Sequence, residues 1–147
     1  MLIHSKHAGV TLIELLVAIA VVAILAAIAV PNMGSMLATN KLNDAQENIM
    51  QILKSARAVA VANGTFSTIT ITSATNVIAT SYGNGTTAPP NLILNNEIAI
   101  AADDTLIFSP NGTVDAAGTV TLTSRNYADL ASRSISIKTT GQISATR

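Results

Sequence analysis

The 147-residue chain has no cysteine and no tryptophan, and its charged residues make up only 11% of the total. Without cysteine there is no disulfide framework, no thiolate metal site and no cysteine nucleophile. Aromatic residues amount to 3%, and eight basic residues balance eight acidic ones. That balance removes any electrostatic case for nucleic acid or an acidic partner across the whole molecule. The two histidines, His4 and His7, both stand at the front, so the chain beyond them offers no imidazole for a catalytic triad or a metal site. No glycine-rich phosphate loop occurs either, and enzymatic activity is not expected. What the chain has instead is apolar residue, 49% of the total, which excludes a disordered, highly solvated polymer.

Much of that apolar residue sits in one place. Val10 to Val30 reads VTLIELLVAIAVVAILAAIAV, in which only Thr11 and Glu14 are polar. At about 1.5 Å per residue a helix of this length spans about 30 Å, the hydrocarbon thickness of a bilayer. The segment therefore reads as a transmembrane or filament-core helix. Lys6, helped by His4 and His7 when protonated, is the charge ahead of it, which places Met1 in the cytoplasm and the rest of the chain outside. A secretory signal peptide is the alternative, with Ala27-Ile28-Ala29 as its cleavage site. The length of the run and the carboxylate of Glu14 inside it count against that alternative.

Gly9-Val10-Thr11-Leu12-Ile13-Glu14-Leu15-Leu16, followed by a long apolar helix and Pro31, resembles the class III signal of type IV pilins and type II secretion pseudopilins. The resemblance implies that residues 1–9 are a leader removed by prepilin peptidase after Gly9, and that the new amino terminus on Val10 is methylated. It implies further that the helix first lies in the lipid bilayer, then packs with other pilin or pseudopilin subunits through an inner-membrane assembly platform. Val10 stands where the family usually has Phe, and Ala8 and His7 replace the more common basic residue before the glycine. Glu14 has two compatible readings. Its spacing from Thr11 is that of a capping box at a helix start. The resemblance implies instead that it pairs with the methylated amine of a neighbouring subunit, which suits a carboxylate too costly to leave unpaired in an apolar span.

Beyond Pro31, which is expected to kink the helix, the pattern becomes amphipathic. Leu42, Ala45, Ile49, Ile52, Ala56 and Val59 form a stripe with alternating steps of three and four, and Asn63-Gly64 supplies the stop. The domains expected are thus a filament-core helix over 10–30, its amphipathic continuation over 31–63 and a periplasmic β-rich domain over 64–147. The stripe is short for a coiled coil, so packing on the protein's own sheet is the expected use.

From Thr65 onward the apolar period becomes two, as in FSTITIT, TVTLT and SISIK. Strands are expected over 66–72, 76–81, 92–100, 105–109, 118–124, 133–138 and 141–145, with 86–91 as a surface loop. The fold class is α+β, a long N-terminal helix packed on a C-terminal antiparallel sheet. The run Leu106-Ile107-Phe108-Ser109-Pro110-Asn111-Gly112-Thr113, then TVTLTS, Arg133 to Lys138 and Gly141-Gln142-Ile143, is similar to the GspH/FimT group of minor pilins and pseudopilins. In that group the protein is a low-abundance subunit near the filament tip, of a type II secretion pseudopilus or a type IV pilus. Some FimT-branch members bind DNA through a basic segment after the final glycine. Here Lys138 and Arg147 are the candidates for such a contact, and from Asn63 onward four basic residues face five acidic ones, which leaves little attraction for phosphate. A simple membrane-tethered periplasmic domain is the third reading.

Asp103-Asp104 with Asp115 lacks the alternating oxygen ligands of a calcium loop and reads as turn carboxylates. Asn63-Gly64-Thr65, Asn84-Gly85-Thr86 and Asn111-Gly112-Thr113 match glycosylation acceptors, but each also reads as an Asn-Gly turn. No cofactor is implied.

Overall fold

The computed structural model describes residues 9–73, 77–83, 92–101 and 104–146; the side chains of 29–32, 77 and 104 lie outside that description. One helix, α1, runs over Leu12–Asn63. The chain divides into two compact units, the first ending at Met36 and the second spanning Leu37–Arg147. The second unit thus takes in the later part of α1 together with all the strands. α1 continues through Pro31, but the kink expected there falls among the side chains outside the description.

The end of α1 follows from its last residues. Gly64 adopts φ 61°, and the N–H of Thr65 donates to the carbonyl of Ala60 at 3.1 Å, which closes the helix in a Schellman arrangement. The chain then enters β1 (Ser67–Thr72), β2 (Val77–Tyr82) and β3 (Leu92–Ile93). β4 (Ile98–Ala101), β5 (Asp104–Phe108) and β6 (Gly118–Ser124) follow. β7 (Arg133–Ile137) and β8 (Ile143–Thr146) complete the order. They form two antiparallel four-stranded sheets rather than one, ordered β3-β2-β1-β5 and β4-β6-β7-β8.

The strand expected over 92–100 is in fact two, and they belong to different sheets. Asn95 makes the break. Its side chain accepts the Glu97 N–H at 3.2 Å, and its carbonyl accepts the Ile98 N–H at 2.9 Å. Such an Asx turn competes with an extended ladder. The last strand begins at Ile143 rather than at 141, because Gly141 sits at φ 77° in the preceding turn.

Period-two alternation sets the inner faces. Ile69 and Ile71 of β1, Val120 and Leu122 of β6, and Ile135 and Ile137 of β7 are buried, in one cluster with Leu106 and Phe108 of β5. α1 contributes Leu42, Ala45, Ile49, Leu53, Ala56 and Ala60 to the same cluster. Ile52 and Val59 of the expected stripe are only half-buried, and Leu53 and Ala60 take their places. The correction is one of phase. From Ala38 to Ala60 the buried apolar positions advance 22 residues in six steps, about 3.7 each, close to the natural 3.6 of a straight helix. The steps of three and four assumed earlier follow the tighter repeat of a supercoiled pair, which drifts off the core side within four turns.

Polar contacts tie α1 to the β4-β6-β7-β8 sheet and to two of the turns. Gln46, 4% exposed, donates its amide to the carbonyls of Ser134 (2.9 Å) and Thr146 (3.2 Å). Arg133 Nε donates to Asn43 Oδ1 at 2.9 Å. Lys41 pairs with Glu97 across a partly exposed site, where an ion pair is worth at most about 1 kcal/mol. Arg57 Nε donates to the carbonyl of Gly112 at 3.0 Å. That carbonyl also faces Gly141, where an added Cβ would lie 1.9 Å from it. Two turns and the helix therefore meet where a glycine is required by both space and φ.

Leu53→Ala should cost about 2–5 kcal/mol in chemical denaturation, and Ile52→Ala clearly less. The reverse order would restore the earlier phase. Gly141→Ala should destabilise by at least about 2 kcal/mol, since it combines a left-handed backbone with a backbone clash.

Candidate assembly site

The amino-terminal site is built by the start of α1. Thr11 Oγ1 accepts the N–H of Glu14 at 3.2 Å, and the Thr11 carbonyl accepts the N–H of Leu15 at 3.2 Å. Thr11 is thus the N-cap and satisfies one of the donors that every helix start leaves open. The capping spacing read from the sequence is used by Thr11, while the Glu14 carboxylate has no hydrogen-bond partner among the described residues. A carboxylate in the first turn also lies favourably at the positive end of the helix dipole.

Gly9 and Val10 precede the helix, and both are exposed. Among the described residues, no atom beyond its chain neighbours lies within 4 Å of where a Cβ on Gly9 would be. The Gly9–Val10 peptide bond is therefore exposed among the described residues. From Val10 to Ile28 every large apolar side chain is 49–76% exposed. A helix apolar on all sides finds its stable surroundings in lipid or among other apolar helices. By length and hydropathy, Leu12–Ile28 and Met33–Asn63 qualify together as a bilayer-crossing pair, and no single described helix does so alone.

The second unit offers less to a nucleic acid. Lys138 is exposed at the end of β7, and Arg147 lies outside the described residues. Arg125 Nε donates to the Ile98 carbonyl at 3.4 Å, and Arg133 binds Asn43 and the carbonyl of Ala131. Both arginines are thereby engaged within the fold. Asp103 lies outside the described residues, and Asp104 opens β5. Asp115 has a structural use that the sequence did not disclose: its Oδ1 accepts the Ile107 N–H at 3.1 Å, and its own N–H donates to the Ile107 carbonyl at 3.2 Å. Among the described residues no three His, Cys, Asp or Glu side chains are grouped to hold a metal ion. Asn111 Oδ1 accepts from both the N–H and the hydroxyl of Thr113, at 3.1 and 2.7 Å, and shapes the turn at Gly112. Asn84 lies outside the described residues.

Gln46, Arg57 and Asp115 are the functional contacts of the fold that sequence reasoning missed. For Gln46 the available signal was its place beside Ala45 on the core side of the helix. For Arg57 the partner lies in a turn 55 residues away, and for Asp115 it lies eight residues back across the turn at Gly112, where nothing in the local pattern marks it.

A capped, all-round apolar helix start with a lone carboxylate, continuing into a helix that carries two antiparallel sheets, defines a pilin-like protein. The chain matches the family model described as "Prokaryotic N-terminal methylation motif" over residues 4–30. It matches "Type II transport protein GspH" over residues 45–141, and it belongs to that family of minor pilins and pseudopilins, which are structural subunits. The type IV minor pilin FimU of Pseudomonas aeruginosa is similar, with a TM-score of 0.57 at 20% identity over 72% of this chain and 93% of that one. The minor pseudopilin EpsH from the Type 2 Secretion System of Vibrio cholerae is similar too, with a TM-score of 0.61 at 12% identity over 72% of this chain and 96% of that one. At such identities the likeness is one of fold. No curated protein sequence matches the chain.

Proposed function

We propose that the chain is a minor subunit that is inserted in the inner membrane by the first part of α1, cut after Gly9 by prepilin peptidase and methylated on Val10. It then assembles near the tip of a type II secretion pseudopilus or a type IV pilus. The observation that carries this reading is the exposed Gly9–Val10 bond directly ahead of a capped helix whose only ionisable group up to Ile28 is Glu14. Cleavage there would leave Glu14 four residues behind a new cationic amine.

Before assembly, an orientation with the amino terminus cytoplasmic and the second unit periplasmic follows from Lys6 ahead of the apolar run. During assembly the Glu14 carboxylate, costly in hydrocarbon without a partner, would be neutralised by the amine of an adjacent subunit. That pairing would set the register between neighbours, and the apolar surfaces on either side would supply most of the packing energy.

Mass spectrometry of the protein isolated from its own cells should find an amino terminus at Val10 carrying one methyl group. A chain still beginning at Met1, or one beginning at Val30 as a signal peptide would leave it, would defeat the reading. Glu14→Ala should leave membrane insertion intact and strongly reduce incorporation into the assembled fraction; wild-type incorporation would remove the role given to Glu14.

A further inference from the structure

Two four-stranded open sheets have four edges, and three of them carry a device that discourages further pairing. β3 is only two residues long. On β5, Asp115 occupies both the N–H and the carbonyl of Ile107, and Val114 bridges to Phe108. On β4, the Ile98 N–H is taken by Asn95 and its carbonyl by Arg125. Among the described residues β8 has no such device: it reads Ile143-Ser144-Ala145-Thr146, without charge or proline.

The turn before β8 determines which of its backbone groups are open. The Lys138 N–H donates to the Gln142 carbonyl at 2.9 Å, and the Gly141 N–H donates to the Lys138 carbonyl at 2.8 Å. With Gly141 at φ 77°, this is the three-residue hairpin with a glycine bulge. Pairs along an antiparallel ladder alternate between those that exchange hydrogen bonds and those that do not. Counting from Lys138·Gln142, the pairs Ser136·Ser144 and Ser134·Thr146 exchange them, whereas Ile137·Ile143 and Ile135·Ala145 do not. The N–H and C=O groups of Ile143 and Ala145 consequently point away from β7. They have no partner among the described residues.

This edge is also held in place. Gln46 donates to the carbonyls of Ser134 and Thr146, the outermost pair of the ladder, so the far end of β8 is fixed to α1. Ala145 lies on the same face of the sheet as its fully buried partner Ile135, yet is itself exposed. Its inner face is therefore short of a neighbour.

We propose that the outer edge of β8 receives an extended, uncharged peptide segment of an adjacent subunit, which adds a fifth strand to the β4-β6-β7-β8 sheet. The proposal rests on the reading of the chain as an assembled subunit. The occupant follows from the chemistry of the edge. Donors and acceptors that repeat at every second residue, about 7 Å apart, are matched by an extended backbone and by neither a helix nor a compact ligand. A strand offering no charge selects a segment with none, and the uncovered face of Ala145 selects an apolar side chain beside it.

The test uses the full chain in cells that carry its own assembly machinery. Ala145→Pro removes an outward N–H without removing a bond to β7, the one kind of place where an edge strand accepts proline. It should keep wild-type circular dichroism, membrane insertion and cleavage while incorporation into the assembled fraction falls about tenfold or more, the effect expected when a strand-addition edge loses a donor. Ala145→Val keeps the donor and should incorporate as wild type. Ser144→Pro removes a bond to β7 and should lower the melting temperature. Wild-type incorporation of Ala145→Pro, or an equal defect in Ala145→Val, would overturn the edge alone. Absence of the wild-type chain itself from the assembled fraction would overturn the subunit reading, and this proposal with it. Should Ala145→Pro unfold, amide exchange of the wild-type protein decides: the Ile143 and Ala145 amides should exchange about tenfold or more slowly in the assembled state than in detergent, and equal rates overturn the edge.

Discussion

Both sheets close on a single row of side chains, and the second unit depends on that row staying straight. Leu42, Ala45, Ile49, Leu53, Ala56 and Ala60 lie along one side of α1 and share a cluster with the inner faces of both sheets. The three alanines among them let the sheets approach the helix closely, while Leu42, Ile49 and Leu53 fill the space between. Burying each of the larger side chains contributes about 1.5–3 kcal/mol. The polar contacts at Gln46 and Asn43 then fix where along the helix β7 and β8 sit, and that at Arg57 fixes the turn at Gly112. They act as position markers more than as sources of stability, because an internal hydrogen bond nets only about 1 kcal/mol against its replacement by water.

The same helix meets the opposite condition at its start. Between Val10 and Ile28 the large apolar side chains are exposed among the described residues, and they surround the helix instead of forming a stripe. One continuous element therefore answers two demands: a single buried face where the protein supplies its own partner, and uniform apolarity where the partner must come from elsewhere.

The strands were legible in the sequence because burying one sheet face imposes an alternation that survives in any short window. Ile69 and Ile71, or Ile135 and Ile137, announce themselves without any knowledge of the partner. The helix stop at Asn63-Gly64 was legible for the same local reason. The phase of the helix stripe was not, since steps of three and four fit both a straight and a supercoiled helix over a few turns, and only the position of the sheets chooses Leu53 over Ile52. The division of 92–100 into two strands hinges on one Asn side chain winning over a ladder bond. At the proposed processing site, the glycine, the carboxylate and the apolar run lie within a few turns, so chemistry and spacing are read together. Gln46 could not be read that way, because its partners lie 88 and 100 residues along the chain, and neither could Asp115 or the open groups of β8, which depend on how each neighbouring turn folds back.

The amide of Gln46 joins residues that are 88 and 100 positions away in the sequence. Contacts of such separation close large loops, and each carries the entropy of closing one. Gln46 thus reports on the two strands at once: its amide is fully taken up only where β7 and β8 are both seated on α1, and a state with either strand detached returns part of that amide to water.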